Sequence, residues 1–400
     1  MTYRDVFAVT QFRTVLGSFA LLLISESIKM LALSVLVYTS TGSTLLAALA
    51  YVAGFLPQVL GGTLLLAFAD RWRPRRLMVG YDLVRMALAV VLALAVLPPV
   101  GAMLVVFVVG SFAPVAQAAR TALTADLLHG DAYILGRSLF TVVSGAMQVV
   151  GAAVGGLLLT VTGPASALWL AAGGCAASAL VVRFGLTDHP ARRTGDRSAV
   201  RETWQVNGAL LRDRGVRRLL LAQWLPGSLM VASEGVVVPY ASSLAGILLA
   251  AAAGGMLLGD LLVARFLSPV RLTPWLALIL GAPLLVFVLR PGVVPASIAL
   301  GVAAAGFSYQ LGLAQRFLDA VPAQWRGQSL GLVGTGTMVV QGLAITGAGG
   351  LAEILSPGVV IAVAGAASLL ATFTLWRTLS GPAGPVRLMA TGPTGGSSAR

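Results

Sequence analysis

The sequence predicts an all-α integral membrane protein, with twelve transmembrane helices in two parallel six-helix pseudo-repeats. Three observations predict it. Of the 400 residues, 58% are hydrophobic and only 10% are charged, where a soluble domain carries about 25% charge. The apolar residues fall in runs near the length of about 20 that a helix needs to cross a bilayer. The second half of the chain is also a weak copy of the first. So few charges cannot cover the surface of a soluble protein of this size, which excludes a cytosolic enzyme, a disordered regulator and a nucleic-acid-binding domain.

Each span is an apolar run closed by turn chemistry. Span 1 covers 15–37 and stops at TSTGS of 39–43; span 2 covers 43–67 and stops at an arginine-rich loop, 68–76. Span 3 is 77–98, closed by PPVG at 98–101, and span 4 is 102–123. Spans 5 and 6, 138–161 and 165–182, are separated by TGP at 162–164. Spans 7 and 8, 219–240 and 244–264, follow one another abruptly. Span 9, 272–289, ends at RPG of 290–292, and span 10 is 293–315. Spans 11 and 12, 329–352 and 357–376, meet at SPG of 356–358.

These runs divide the chain into a first six-helix bundle, 1–182, a linker, 183–218, a second bundle, 219–379, and a tail, 380–400, expected to be disordered. Within the linker, Trp204, Leu210 and Leu211 have helical spacing, which predicts an amphipathic helix lying on the inner membrane surface.

The net charge of +13 reports topology rather than nucleic acid. Seven alternate polar segments, from 1–14 to 377–400, hold 23 of the 27 basic residues, and the other set holds only Arg290. The positive-inside rule then puts both termini in the cytoplasm of a multi-pass protein of the plasma (inner) membrane. The single cysteine, Cys175, allows neither an intramolecular disulfide nor a cysteine metal site. No metal or cofactor is expected. The first apolar run is too long for a cleavable signal peptide and contains Glu26 and Lys29.

The repeat is carried by matches in a constant order. GGTLLL at 61–66 answers GGMLLG at 254–259, and Gln117, Asp126 and Gln148 answer Gln310, Asp319 and Gln341, all at an offset of 193. Ser25-Glu26 answers Ser233-Glu234 at 208. Six spans per unit is an even number, so the two units enter from the same side. Such parallel repeats place a substrate site at their interface, near the bilayer midplane.

Ionisable groups inside a bilayer are costly and point to function. Glu26 and Lys29 lie one helical turn apart in span 1 and can pair. Lys29 is the only lysine beside 26 arginines, and a buried Lys can give up its proton where Arg cannot. The pair is either a titratable, substrate-pairing centre or a fixed structural ion pair. Glu234 in span 7 has no charged neighbour in sequence and is a candidate proton carrier. Arg120 in span 4 lies one turn past Gln117 and faces either the cavity or a structural partner. Asp82 and Arg85 in span 3 are expected to pair locally. Gln117, Gln148, Trp224, Phe307, Tyr309, Gln310 and Gln341, with Glu26, Arg120 and Glu234, form the expected cavity lining. It is mostly apolar with few polar handles, which suits an amphiphilic or hydrophobic substrate.

At 61–76 the chain reads GGTLLLAFADRWRPRR. This resembles the signature loop of the major facilitator superfamily, Gly-x-x-x-Asp-Arg-x-Gly-Arg-Arg. Asp70, Arg71, Arg75 and Arg76 match, while Leu66 and Arg73 stand where the pattern has Gly. With Asp82 and Arg85 following in span 3, the loop is similar to that of bacterial siderophore and macrolide exporters. Span 5 carries Gln148, Gly151, Gly155 and Gly156 and resembles the superfamily's antiporter motif, with Ala152 in place of its proline. Small residues also let helices pack closely, so helix packing is a full alternative for these glycines.

The resemblance implies the major facilitator fold and rocking of two six-helix bundles. Asp70, Arg71, Arg75, Arg76, Asp82 and Arg85 would then form a cytoplasmic latch present in one rocked state. The alternative is that the arginines only hold topology. The expected protein is a monomeric secondary transporter, not an enzyme. It would export an amphiphilic or hydrophobic small molecule, such as a drug, natural product or siderophore, against protons carried by Glu26, Lys29 and Glu234. An uptake symporter or facilitator on the same fold is the alternative.

Overall fold

The computed structural model describes residues 3–53, 57, 72–128, 131–188, 206–241, 244–266, 269–322 and 326–381, and the described elements are helices. Span 1 is one helix, Thr10–Thr41, ended by Gly42 at φ +67, whose N–H reaches the Tyr38 carbonyl. Span 2 starts at Thr44 behind an N-cap, Ser43, and is described as far as Val52. Span 3 is Pro74–Ala93, span 5 Asp131–Val161 and span 6 Pro164–Gly185. Span 8 is Ala245–Phe266 and span 11 Arg326–Leu351.

Four spans read as single runs are broken. Span 4 divides into Pro99–Ser111 and Ala113–Leu127. Span 7 runs Arg214–Val231 and then tightens into a 3₁₀ turn, Ala232–Val236, before Val237–Ala241. Span 9 changes from α-helix, Pro269–Gly281, to 3₁₀, Ala282–Leu289. Span 10 is Val293–Ala305 and Tyr309–Ala320, around a short 3₁₀ turn. Proline or glycine lies at or beside each break: Pro114, Pro239, Pro283 and Gly306. Proline removes an intrahelical hydrogen bond and crowds the preceding turn. Span 12 is Pro357–Thr374, followed by a short turn of helix, Trp376–Ser380.

Among the described residues, ten helical stretches are long and apolar enough to cross a membrane. Of the twelve spans expected from the sequence, the two not among these ten are span 2, only partly described, and span 3, which carries Arg75, Arg76, Asp82 and Arg85.

Before residue 189, span 1 packs on spans 5 and 6, and span 6 on span 3; after 205, span 7 packs on spans 11 and 12 and span 8 on span 10. Two pairs make most of the contact between the halves, span 5 with span 8 and span 2 with span 11, and span 7 also meets spans 1 and 2. Under the six-span repeat, span 2 corresponds to span 8 and span 5 to span 11, so the two seams are equivalent.

The buried cores differ between the two ends of the molecule. Toward the turns 41–44, 161–164 and 351–357, Leu31, Ala48 and Val52 join one core with Met230, Val236, Leu248 and Ile345. Toward the termini, the described residues form separate cores. Val6, Phe12, Leu128 and Ala132 make one, and Val15, Met78, Leu123 and Val182 another. Val206, Leu210, Leu220 and Phe317 make a third, in the second half. The halves are thus closed on each other at the turn end.

Residues 206–212 are helical. Leu210 is buried against Leu220 and Phe317, so this part of the linker is docked on the second half. Trp204 and the tail from 382 lie outside the described residues.

A candidate transport site

In the first half, the charges converge from three helices. Glu26 accepts from Lys29 Nζ at 2.8 Å and also pairs with Arg85 of span 3. The side chains of Glu26, Arg85 and Lys29 are 22%, 12% and 8% exposed. One carboxylate thus holds two buried cations. The Arg85 guanidinium also lies over the Tyr81 ring, 5.6 Å from its centroid, close enough for a cation–π contact. The expected local pair of Asp82 with Arg85 is corrected here. Arg85 turns to span 1, and buried Asp82 accepts from the Ser178 hydroxyl of span 6 at 2.7 Å. Arg120 is buried, lies 5.2 Å from the centroid of the Phe19 ring and donates to Gln117 Oε1 at 3.0 Å. Gln117 itself is exposed.

Glu234 is placed differently. The 3₁₀ turn that interrupts span 7 brings it to the seam, where Tyr51 of span 2 donates a hydrogen bond to its Oε2 at 3.1 Å. This bond crosses from one half to the other. Sequence reasoning missed Tyr51, which showed only as an aromatic hydroxyl in an apolar run.

The remaining expected cavity residues separate. Trp224 is half-buried and donates from Nε1 to the Val333 carbonyl of span 11 at 3.0 Å. Its ring lies on Gly336, where a Cβ would meet indole Nε1 at 2.6 Å. Phe307 packs edge-on against Tyr309. Gln310 and Gln341 are half-buried. Tyr309 does not belong to an open wall. It is fully buried, and its hydroxyl donates to the carbonyls of Ala222 and Gln223 at 3.1 and 3.0 Å. Pro226 cannot donate back to the Ala222 carbonyl, and Tyr309 supplies that bond. The Gln148 side chain lies outside the described residues.

The three span 5 glycines sit at close approaches. A Cβ on Gly151 would come within 2.7 Å of Ser27 Cβ, and one on Gly155 within 3.3 Å of Ile28 Cα, both in span 1. Gly156 faces Gly246 of span 8 across the seam, where a Cβ would meet the Gly246 carbonyl carbon at 2.9 Å.

Of the loop 68–76, Asp70 and Arg71 lie outside the described residues. Arg73 pairs with Asp188, and Arg75 donates to the Arg183 carbonyl, so this loop is bound to the end of span 6. Arg76 opens span 3 in its first turn. Among the described residues, no group of three or more His, Cys, Asp or Glu side chains is arranged to hold a metal ion.

Comparison with solved structures returns transporters. The nucleoside transporter NupG is 14% identical with a TM-score of 0.72, covering 93% of this chain and 99% of its own. A bacterial homologue of the human lysosomal transporter Spinster, inward-facing and occupied, is 15% identical with a TM-score of 0.66, covering 92% and 94%. The xylose transporter XylE from E. coli, inward open, is 14% identical with a TM-score of 0.66, covering 94% and 96%. At such identities the likeness shows the fold. No curated protein matches. The sequence matches the family described as Major Facilitator Superfamily over residues 15–315. With that match running from the first span through the tenth, on a fold shared by sugar, nucleoside and peptide transporters, the chain belongs to the Major Facilitator Superfamily and is a multi-pass membrane transporter of small molecules.

Proposed function

We propose that this transporter exports an amphiphilic or hydrophobic small molecule across the plasma membrane in exchange for protons, with both termini in the cytoplasm. The observation that carries the coupling is the bond between Glu234 and Tyr51. It joins a buried carboxylate of the second half to a neutral hydroxyl of the first. Loading a proton on Glu234 leaves no cation stranded, because its new O–H can turn to Tyr51 or to water. Loading one on Glu26 would leave Lys29 and Arg85 buried without their acid, which is a large cost in low dielectric. Glu234 is therefore the proton carrier, and Glu26, with Lys29 and Arg85, is a fixed charged centre. A proton that binds one rocked state more tightly shifts the equilibrium by that difference.

The similarity of DRWRPRR at 70–76 to siderophore and macrolide exporters, and the few polar groups at the cavity wall, support the substrate class. The positive-inside count supports the orientation, which makes the closed turn end the outer end.

The test is transport in proteoliposomes under an imposed pH gradient, with ethidium, a macrolide and a hydroxamate siderophore as probes. Wild type should accumulate one of them against its gradient. Glu234→Gln should lose uphill accumulation yet keep downhill exchange. Uphill transport by Glu234→Gln at the wild-type rate would refute the proton assignment. Transport by wild type that ignores the gradient would favour a facilitator, and co-movement of probe and protons an uptake symporter.

A further inference from the structure

The turn that joins spans 11 and 12 reaches across the molecule. Glu353 Oε1 accepts from the Ser43 hydroxyl at 2.7 Å and from the Leu45 backbone N–H at 2.8 Å. Ser43 is the N-cap of span 2, and its Oγ also accepts from Leu46 N–H at 3.1 Å. The first N–H groups of a helix have no partner within the helix. Here one is taken by the cap and another by a carboxylate from the opposite half. One residue along, the Thr44 hydroxyl donates to the Gly349 carbonyl at 2.9 Å. Gly349 allows this approach, since a Cβ there would come within 3.2 Å of Leu45 Cα and of the Thr44 oxygen.

We propose that Glu353 is a positioning residue of the transport cycle: its carboxylate pins the start of span 2 and holds the turn end of the two halves shut. Rocking that opens this end must carry residue 353 away from residues 43–45. The two bonds to its carboxylate therefore exist in one state only, and a contact present in one state biases the equilibrium by its full net worth. The carboxylate has the charge that suits a helix N-terminus, and bonds to an ionised acceptor are stronger than neutral ones. The bias needs neither a particular substrate nor a coupling ion, so it stands apart from the proton and export assignments.

The charge gives the pin a signature. The Leu45 N–H and the Ser43 hydroxyl hold the Glu353 carboxyl below the usual carboxylate range. The groups facing it are the hydroxyls of Ser43 and Thr44 and the N–H groups of Thr44 and Leu45. The turns 40–45 and 349–357 carry no other ionisable side chain. A carboxyl depressed in the closed state and ordinary in the open one favours closure at neutral pH. That preference is lost as pH falls through the depressed value.

The experiment uses the full chain in lipid nanodiscs, in a Cys175→Ser background. Spin labels at Val96 and Val294, exposed at the turn end of each half, report its opening by pulsed distance measurement. Wild type at neutral pH should show the short distance as its main population. Glu353→Ala should raise the ratio of long to short about fivefold, the effect of losing one helix N-cap. Glu353→Gln, whose amide oxygen can still accept, should fall between the two and lose the acid-dependent opening. Ser43→Ala should add nothing to Glu353→Ala, because the removed partners are the same. Thr44→Val, which leaves the carboxylate's two main donors, should keep the acid dependence. An unchanged distance distribution in a folded Glu353→Ala protein would overturn the proposal. So would acid-dependent opening of wild-type size in Glu353→Gln.

Discussion

Replacing Gly156 with alanine tests the seam between the halves at its tightest point. In the closed arrangement, a Cβ at 156 would sit 2.9 Å from the Gly246 carbonyl carbon and 3.4 Å from its nitrogen. Carbon atoms rest at about 3.5–4.0 Å, so the overlap is roughly half an ångström or more. The atoms it meets are backbone, and no rotamer can relieve it; spans 5 and 8 must part. Overpacking of this kind costs about 1–3 kcal/mol. The cost falls on the closed state alone, so the ratio of open to closed at the turn end should rise about 5- to 150-fold. The labels at 96 and 294 would read this as a gain in the long distance, and transport would slow because the return to the closed state is disfavoured. Gly246→Ala should act alike, since its Cβ would meet Gly156 nitrogen at 2.9 Å. Gly173→Ala in span 6, where nothing lies within 4 Å of the added atom, is the control. A distance distribution in Gly156→Ala equal to that of the control would refute the reasoning that this glycine pair sets the closed state.

Other substitutions separate the charged cluster from its surroundings. Glu26→Leu strands Lys29 and Arg85, whereas Arg85→Leu leaves the Glu26–Lys29 pair intact; breaking a buried pair costs about 3–5 kcal/mol, so Glu26→Leu should lower the thermal midpoint more, and equal losses would contradict the shared-carboxylate geometry. Tyr309→Phe should cost about 1–2 kcal/mol by leaving buried carbonyls short of a donor, with substrate preference unchanged; an altered preference among the transport probes would return Tyr309 to the cavity. Single cysteines at Ser198 and Ser242, in the Cys175→Ser background, test orientation with an impermeant thiol reagent: Ser242 should label from outside, and labelling of Ser198 alone would invert the topology.

Hydropathy and turn residues located the spans well, because the bilayer imposes length and polarity on every crossing segment. TGP at 162–164 and SPG at 356–358 fall where helices end and begin. Pairing within one helix was also legible: Glu26 and Lys29, three residues apart, do bond. Partners on different helices were not. Asp82 and Arg85 have the same spacing, yet the bundle turns one toward Ser178 and the other toward Glu26. A run of apolar residues fixes where a helix enters and leaves, but not its rotation about its own axis. The same blindness hid Tyr51 opposite Glu234 and Glu353 opposite Ser43, both bonds between distant parts of the chain. Of the signature loop, the sequence supplies Asp70 and Arg71, while the described geometry begins at Trp72 and shows arginines tied to span 6.

Glu26 and Glu234 answer each other in the sequence repeat, yet their surroundings differ. Among the described residues, the ion-pair partners of Glu26 lie in the first half: Lys29 on its own helix and Arg85 on span 3. If the halves rock as rigid bodies, those partners travel with it, and its environment is alike in both states. A group whose environment does not change cannot couple a proton to the motion, because a ligand that binds two states equally shifts neither. Glu234 accepts from Tyr51 across the seam, so under the same motion its partner would be present in one state and gone in the other. The proposed coupling role therefore falls to Glu234 rather than to Glu26. Moving the hydroxyl to the other side tests this asymmetry. Tyr51→Phe should weaken the dependence of transport on the pH gradient while sparing downhill exchange. Tyr81→Phe, beneath Arg85 in the first half, should leave that dependence as it is. If the two variants changed the dependence equally, coupling would not reside at the seam.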